Sequence, residues 1–269
     1  MKFDRRGFLT GSAGLAGALA LTSCTSNGRR ADDQPECIDG AGCATALSQP
    51  GSDGLIDEAV YQRRIDEYLR FATAEFIPGS APGVAGHLIR AGRDPDYRWA
   101  VDEVTVDAFA DTWDKIDSWE DTRDFDLMYL LWLLKLGAGS ESSGATVGNN
   151  MTTLSPKLLQ AIEQRLVDNR YRYNDPNPDG RLDNLWYWSE NHIVIGRVIE
   201  FLAGQHLSEQ TFTVTGLTGA EHMERSKPEI LQWISERARF GFFEWHSNVY
   251  MLKNITPLIT LIELGDDPE

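Results

Sequence analysis

The chain has 269 residues, with 41 Asp or Glu against 25 Lys or Arg, and its formal net charge is -16. A surface this negative repels phosphate backbones, so the composition argues against nucleic acid as a partner. The length suffices for one sizeable hydrophobic core, and eight tryptophans but only three cysteines are available to it.

The N-terminus has the order of segments that is typical of an export signal. Arg5-Arg6 precede Phe8-Leu9, and a run of apolar and small residues follows from Gly11 to Leu21. That run is too short and too rich in Gly and Ala for a stable membrane-spanning helix. It leads to Cys24 through Leu-Thr-Ser, which resembles the lipobox of lipoproteins. We therefore expect residues 1–23 to be a twin-arginine lipoprotein signal peptide. The protein would then be exported and held by lipid on Cys24 at the outer face of a membrane, at the cell surface or in the periplasm.

Residues 24–53 are rich in Ser, Gly, Asp, Pro and Ala, which predicts a flexible tether. Cys37 and Cys43 lie in this stretch and could close a small disulfide loop in an oxidising compartment. Neither has the histidine or cysteine neighbours that a zinc site needs.

From residue 54 onward, apolar residues recur at helical spacing and no long stretch alternates like a strand. Ser155-Pro156 is a favoured helix start, and Thr218 and Glu221 have the spacing of a capping box. Residues 78–97 read as a turn-rich segment. About seven helices are predicted: 55–77, 104–119, 123–137, 156–169, a helix ending at 205, one or two pieces in 218–240, and 247–264.

Repeated helical hairpins of about 40 residues are the building units of helical solenoids and α/α toroids. The predicted fold class is therefore all-α, with residues 54–269 forming the helical hairpins of an incomplete α/α toroid. A toroid of six hairpins needs about twelve helices, and the last apolar helix has no partner after it, so we expect a fragment or the front portion of a longer protein. A small complete bundle is the alternative.

The densest cluster of chemically capable residues runs from Asn184 to His192, as Asn-Leu-Trp-Tyr-Trp-Ser-Glu-Asn-His. Together with Leu202-Ala-Gly-Gln205, with Thr218-Gly-Ala-Glu-His222 and with the stretch from Arg239 to Trp245, it resembles a group of exported, uncharacterised bacterial proteins. These proteins look like six-hairpin glycosidases and polysaccharide lyases. The resemblance covers about the last half of the chain and implies a carbohydrate substrate. Metal catalysis is not indicated, because the five histidines are scattered and no pair has the helical spacing of a zinc protease, and no cofactor is expected.

A lyase-like site would use Asn191 to neutralise a uronate carboxylate, His192 to take a proton and Tyr250 as the acid. A hydrolase-like site would instead oppose two of the carboxylates Glu190, Glu244 and Asp124. In this hydrolase-like version aromatic side chains would stack on sugar rings, the candidates being Trp186, Trp188, Trp245 and Tyr250. On a regular helix Glu190 and His192 point about 160° apart, so they cannot serve one pocket unless the helix begins at Ser189 and frays there.

Each of these residues also has an ordinary structural explanation, since aromatic residues at helical spacing are usually core and Ser-Glu is usually a helix cap. The acidic stretch from Asp175 to Asp183 has the spacing of a calcium loop, but its prolines favour an ordinary turn. The sequence thus predicts a surface lipoprotein that cleaves glycans by hydrolysis or by β-elimination. The alternative is a non-catalytic solenoid that binds a glycan or a partner protein.

Overall fold

In a computed structural model of the chain, residues 57–138, 153–244 and 247–267 are described, and within these ranges the protein is all-helical. Its only β feature there is an isolated bridge between Thr211 and Thr218. None of the helices in these ranges is both long enough and apolar enough to cross a membrane. The helices are α1 Glu58–Ala72, α2 Ala81–Arg93, α3 Ala110–Asp117, α4 Arg123–Gly137, α5 Pro156–Asp168, α6 Glu190–His206, α7 Gly219–Phe240 and α8 Tyr250–Leu264, with two short 3-10 turns before α3.

Polar side chains start four of these helices by accepting a backbone N–H of the first turn. Asp57, Ser80, Ser155 and Thr218 each accept from the residue three positions later, at 3.1 to 3.3 Å. In α7 the carboxylate of Glu221 also accepts the Thr218 N–H at 2.7 Å, which completes the predicted capping box. These local interactions explain why the caps seen in the sequence mark real helix starts.

The segment 78–97 corrects the sequence analysis, because it contains a 13-residue helix and not only turns. Pro82 lies in the first turn of α2, where a missing N–H costs no hydrogen bond. Val84, Ala85 and Leu88 are buried in the core, and α2 packs against α4. The proline and the three glycines around it hid this apolar face.

Two central helices carry most of the core. Leu127, Leu130 and Leu133 of α4 have no or almost no exposed surface, and α4 packs against α2, α3, α5, α6 and α8. Helix α6 packs against α4, α5, α7 and α8. The Trp132 indole N–H donates to the Thr260 hydroxyl at 3.0 Å, which satisfies the polar atoms where α4 meets α8.

The helices pack in a consistent order. The even-numbered helices α2, α4, α6 and α8 contact one another in sequence, and α8 also contacts α4. The odd-numbered helices pack against them, α1 on α2, α3 on α4, α5 on α4 and α6, and α7 on α6. Contacts between helix starts also bring the first turns of α4 and α6 close to the beginning of α8, since Asp124 lies 2.6 Å from His192 and Asn254 donates to Glu190 at 3.3 Å.

Buried carboxylates hold α6 against both ends of α7. Near the start of α7, Glu200 accepts a hydrogen bond from His222 at 2.8 Å and a short one from Arg225. Near the end of α7, Glu190 accepts a short hydrogen bond from Arg237. Between α6 and the start of α7 the backbones lie so close that a Cβ on Gly204 would be 2.4 Å from the Gly219 carbonyl oxygen.

Candidate active site

The turn before α6 presents aromatic side chains to solvent. Trp186, Trp188 and Tyr173 are 55%, 62% and 68% exposed, which is unusual for side chains of this size. The indoles of Trp186 and Trp188 lie 5.5 Å apart between ring centroids, and Tyr173 contacts Trp188 edge-on at 6.2 Å. We call these three residues the aromatic surface. Flat exposed rings of this kind can stack on the apolar faces of sugars.

A buried ion cluster holds this turn in place. Arg123 has no exposed surface and donates to both carboxylate oxygens of Asp183, at 2.8 and 3.3 Å, and to the Tyr187 hydroxyl at 2.8 Å. Arg170 donates to the same carboxylate at 3.0 Å. Burial raises the pKa of Asp183, but the hydrogen bond and charge of Arg123 outweigh it, so the net pKa lies below its ordinary value. Burial also raises the pKa of Tyr187, which therefore stays a hydrogen-bond donor.

The backbone just before α4 is unusual. Trp119 and Thr122 have φ angles of 55° and 63°, in the left-handed region that residues other than glycine rarely adopt. Both precede Arg123 and Asp124, so this backbone directs the first turn of α4. Such conformations are stable only where the surrounding structure holds them, and here Arg123 donates to the Trp119 carbonyl at 3.2 Å.

Asp124 and His192 form a buried pair between the first turns of α4 and α6. The Asp124 Oδ2 atom lies 2.6 Å from His192 Nδ1, and their side chains are only 4% and 8% exposed. Phe125 stacks on the imidazole at 5.1 Å between centroids. With Nδ1–H donating to the carboxylate, the lone pair of the neutral ring lies on Nε2, which is the arrangement of a general base.

A second histidine of the same chain shows what a wholly structural pair looks like. His222 is fully buried, with Glu200 at 2.8 Å from Nδ1 and the Thr215 hydroxyl at 2.8 Å from Nε2. Both of its nitrogens are therefore occupied. Among the residues that the structure describes, His192 has a hydrogen-bond partner at Nδ1 only, and this difference separates a candidate base from a core histidine.

The side-chain amide of Asn191, the residue before His192, has one hydrogen-bonded atom and one that is unpartnered in the described ranges. The Asn191 amide oxygen accepts from the Ser189 hydroxyl at 3.0 Å, while its buried Nδ2 has no hydrogen-bond partner in the part of the chain that the structure describes. A buried unpartnered donor is uncommon and marks a place where an acceptor could bind.

Glu190 is engaged on every side. Besides Arg237, its carboxylate accepts the Phe243 N–H at 3.1 Å and the Asn254 amide at 3.3 Å. These contacts hold α6 to α7 and α8 and leave no free oxygen for a substrate. We therefore interpret Glu190 as a structural residue, in contrast with its predicted catalytic role. Among the predicted carboxylates, Glu244 keeps a buried Oε2 without a partner in the described ranges.

Helix α8 brings two further groups to this region. Tyr250, the predicted acid, is its first residue and is 42% exposed. Lys253 places its ammonium 4.2 Å from the centroid of the Phe125 ring, the same ring that stacks on His192. Burial lowers the pKa of Lys253, and it raises the pKa of Asp126, which pairs with Lys115 at 2.7 Å. The sequence analysis missed Lys253, because a single lysine in an apolar helix carries no signal.

The acidic stretch from Asp175 to Asp183 is used for ion pairs. Asp175 binds Arg225 through two hydrogen bonds at 2.8 and 3.1 Å, Asp179 pairs with Arg181, and Asp183 belongs to the Arg123 cluster. Within the described ranges no group of three or more His, Cys, Asp or Glu side chains is arranged to hold a metal ion.

A groove with a volume of about 380 Å³ lies elsewhere. Trp119, Asp117, Arg165, Asp168 and Arg181 are among the residues that line it, and neither Asp124 nor His192 does. The two arginines are already paired, Arg165 with Asp117 and Arg181 with Asp179. We therefore place the candidate site at the first turns of α4 and α6, beside the aromatic surface.

Some predicted positions fall outside the described ranges. They are the stacking candidate Trp245, the lipid-attachment residue Cys24 and the disulfide candidates Cys37 and Cys43. The structure unites Asp124 with His192, two residues that the sequence analysis had assigned to different mechanisms. No family model, curated protein or solved structure matches the chain.

Proposed function

We propose that this chain acts on carbohydrate, with His192 as a general base that Asp124 orients and the aromatic surface as the sugar-binding platform. The observation that carries the proposal is the contact of 2.6 Å between His192 Nδ1 and Asp124 Oδ2, which leaves Nε2 without a hydrogen-bond partner in the described ranges. His192 comes shortly after Trp186 and Trp188 in the sequence, and the indoles of both are exposed. An oriented imidazole beside stacking aromatics combines what proton abstraction from a bound sugar requires.

The contacts favour β-elimination over hydrolysis. Hydrolysis needs two opposed carboxylates, but Glu190 is saturated by Arg237, Phe243 and Asn254, and Asp124 is bound to His192. In β-elimination Nε2 of His192 removes the proton next to a uronate carboxylate. The electron pair of that C–H bond forms a C=C bond, the glycosidic C–O bond breaks, and the leaving oxygen takes a proton from the hydroxyl of Tyr250. The Nδ2 donor of Asn191 is available for the uronate carboxylate.

The finer features of fold and location belong to the same proposal. The alternation of contacting even-numbered helices with packed odd-numbered ones supports helical hairpins of an α/α toroid. The lipobox-like sequence before Cys24 supports export and a lipid anchor, which would bring the site to glycans outside the cytoplasm.

Binding of a glycan without turnover is the second candidate. It is favoured by the contrast between the aromatic surface, which is largely exposed, and the side chains of Asp124 and His192, which are almost wholly buried. Under this interpretation the Asp–His pair is a core hydrogen bond that supports the turn.

A panel of neutral and uronate-containing polysaccharides tests both candidates with four purified variants of the full chain. Product formation is followed as ultraviolet absorbance of the new C=C bond and as new reducing ends, and binding is measured by calorimetry. We expect His192→Gln and Asp124→Asn to lower turnover by about 10² to 10⁴-fold while binding persists. Trp188→Ala should weaken binding, and Phe240→Ala, an exposed aromatic on α7, should change neither.

The outcomes separate the two functions. Unchanged turnover in a folded His192→Gln protein removes His192 as the base. If the unmodified chain binds a polysaccharide but turns none over, and Trp188→Ala abolishes that binding, the protein has the non-catalytic role. If no polysaccharide binds, the carbohydrate proposal is wrong. Urea unfolding of each variant establishes that the fold is intact.

A further inference from the structure

Lys253 is a cation at the candidate site without a close carboxylate partner. Lys115 is paired with Asp126 at 2.7 Å, and Asp124 binds His192 at 2.6 Å. Across the described ranges, no carboxylate forms an ion pair or a hydrogen bond with Lys253, whose ammonium lies over the face of Phe125. Its longer-range electrostatic neighbours are Asp124 and Asp126, which are attractive, and Lys115, which is repulsive.

Lys253 is linked to His192 through Phe125, since its ammonium lies over the same ring that stacks on the imidazole. Asn254, the next residue, donates to Glu190 at 3.3 Å, so this part of α8 lies against the start of α6. Tyr250 precedes Lys253 by three residues and therefore lies on the same side of the helix. The proposed acid, the ammonium and the imidazole thus belong to one region of the molecule.

We propose that Lys253 binds the carboxylate of an acidic sugar and so determines that the site takes uronates and not neutral sugars. The inference rests on the proposed function and deepens it. With His192 neutral, the charges of Asp124, Asp126, Lys115 and Lys253 cancel. A bound uronate adds one negative charge, and moving its proton to His192 leaves the total charge of the site unchanged, so a nearby ammonium is the group that offsets the carboxylate.

The chemistry of the step gives the ammonium a second use. Removing the proton next to a carboxylate moves negative charge onto the carboxylate oxygens, and a fixed positive charge beside them stabilises that charge as it develops. Lys253 is half-buried and lies against an aromatic ring, so water screens its charge less than that of an exposed lysine.

The test compares each acidic sugar with its own neutral form. Oligomers of galacturonate, glucuronate and mannuronate, each as the free acid and as the methyl ester, are titrated calorimetrically into the full chain. We expect the unmodified protein to prefer an acid over its ester, and Lys253→Met to weaken binding of the acid by about ten- to a hundredfold while binding of the ester stays the same. Lys253→Arg should keep the preference. Lys157→Met, which removes an exposed lysine on α5, is the matched control.

Four results would overturn the inference. Equal affinity of the unmodified chain for acids and esters excludes carboxylate recognition. A parallel loss for both forms in Lys253→Met shows that Lys253 supports the structure only. If the chain binds neutral polysaccharides but no uronate oligomer, the uronate preference is wrong and the proposed carbohydrate function still stands. If it binds no glycan at all, both the uronate preference and the carbohydrate function are wrong.

Discussion

Replacing Arg123 with Met tests whether the buried ion cluster holds the aromatic surface. Met keeps much of the apolar stem but removes the hydrogen bonds to Asp183 at 2.8 and 3.3 Å and to Tyr187 at 2.8 Å. Breaking a buried ion pair costs about 3–5 kcal/mol. Asp183 keeps Arg170 at 3.0 Å, so we expect the low end of that range, about 3 kcal/mol.

Chemical and thermal unfolding measure this loss. With a urea m-value of about 2 kcal/mol/M, the midpoint should fall by about 1.5 M. The melting temperature should fall by about 9 °C, at about 3 °C per kcal/mol for a domain of about 200 residues. Near-ultraviolet circular dichroism should also change, because Trp186 and Trp188 lie on the turn that Arg123 holds.

Arg181→Met is the matched control. Arg181 lies in the loop that contains Asp183 and pairs with Asp179, but both of these side chains are 40% or more exposed. Removing the Arg181 guanidinium should therefore lower the free energy of unfolding by less than about 1 kcal/mol. If Arg123→Met unfolds at the same urea concentration as Arg181→Met, the buried cluster does not hold the turn, and the reasoning is refuted.

Two further predictions follow from the structure. Gly204→Ala should lower the free energy of unfolding in urea by about 1–3 kcal/mol, because its Cβ would lie 2.4 Å from the Gly219 carbonyl oxygen. The control is Gly196→Ala on the same helix, whose Cβ would meet only the Tyr171 carbonyl oxygen at 3.6 Å and which should be neutral or stabilising. Equal effects of the two substitutions would contradict this prediction. Burial raises the pKa of Glu200, but the hydrogen bond from His222 and the nearby arginines lower it overall, so its stabilising effect is present above the ordinary glutamate pKa and is lost as the pH falls through the lowered one. Urea midpoints measured against pH should therefore drop in acid, and Glu200→Gln should flatten that drop; an unchanged slope would show that Glu200 does not cause it.

The helices could largely be predicted because their signals are local. Ser155-Pro156 and the Thr218–Glu221 capping box lie at real starts, since a cap involves only residues within one turn. Helix α2 was missed because Pro82 was read as part of a turn, although a proline in a first turn permits a helix. What decided this case was burial of the apolar face against α4, which a local pattern does not contain.

The candidate site could be predicted only as separate residues. Asp124 and His192 were both named, but their contact joins two helices 68 positions apart in the sequence. Glu190 looked like a free carboxylate because its partners Arg237 and Asn254 come from α7 and α8. Arg123 gave no signal at all, since an arginine next to an aspartate at a helix start usually faces water, and its burial depends on Asp183 from a distant turn.

The two buried carboxylates on α6 have a consequence for how this helix can move. Glu190 and Glu200 are ten positions apart, about 15 Å along the axis, and each faces a different end of α7. Leucine and valine surfaces could slide past one another by a turn at modest cost, but a shift of about 5.4 Å would separate Glu190 from Arg237 and Glu200 from His222 at once. The α6–α7 hairpin therefore resists sliding by a turn, and a motion of α4 or of the tryptophan-bearing turn would open the region around His192 without breaking either contact.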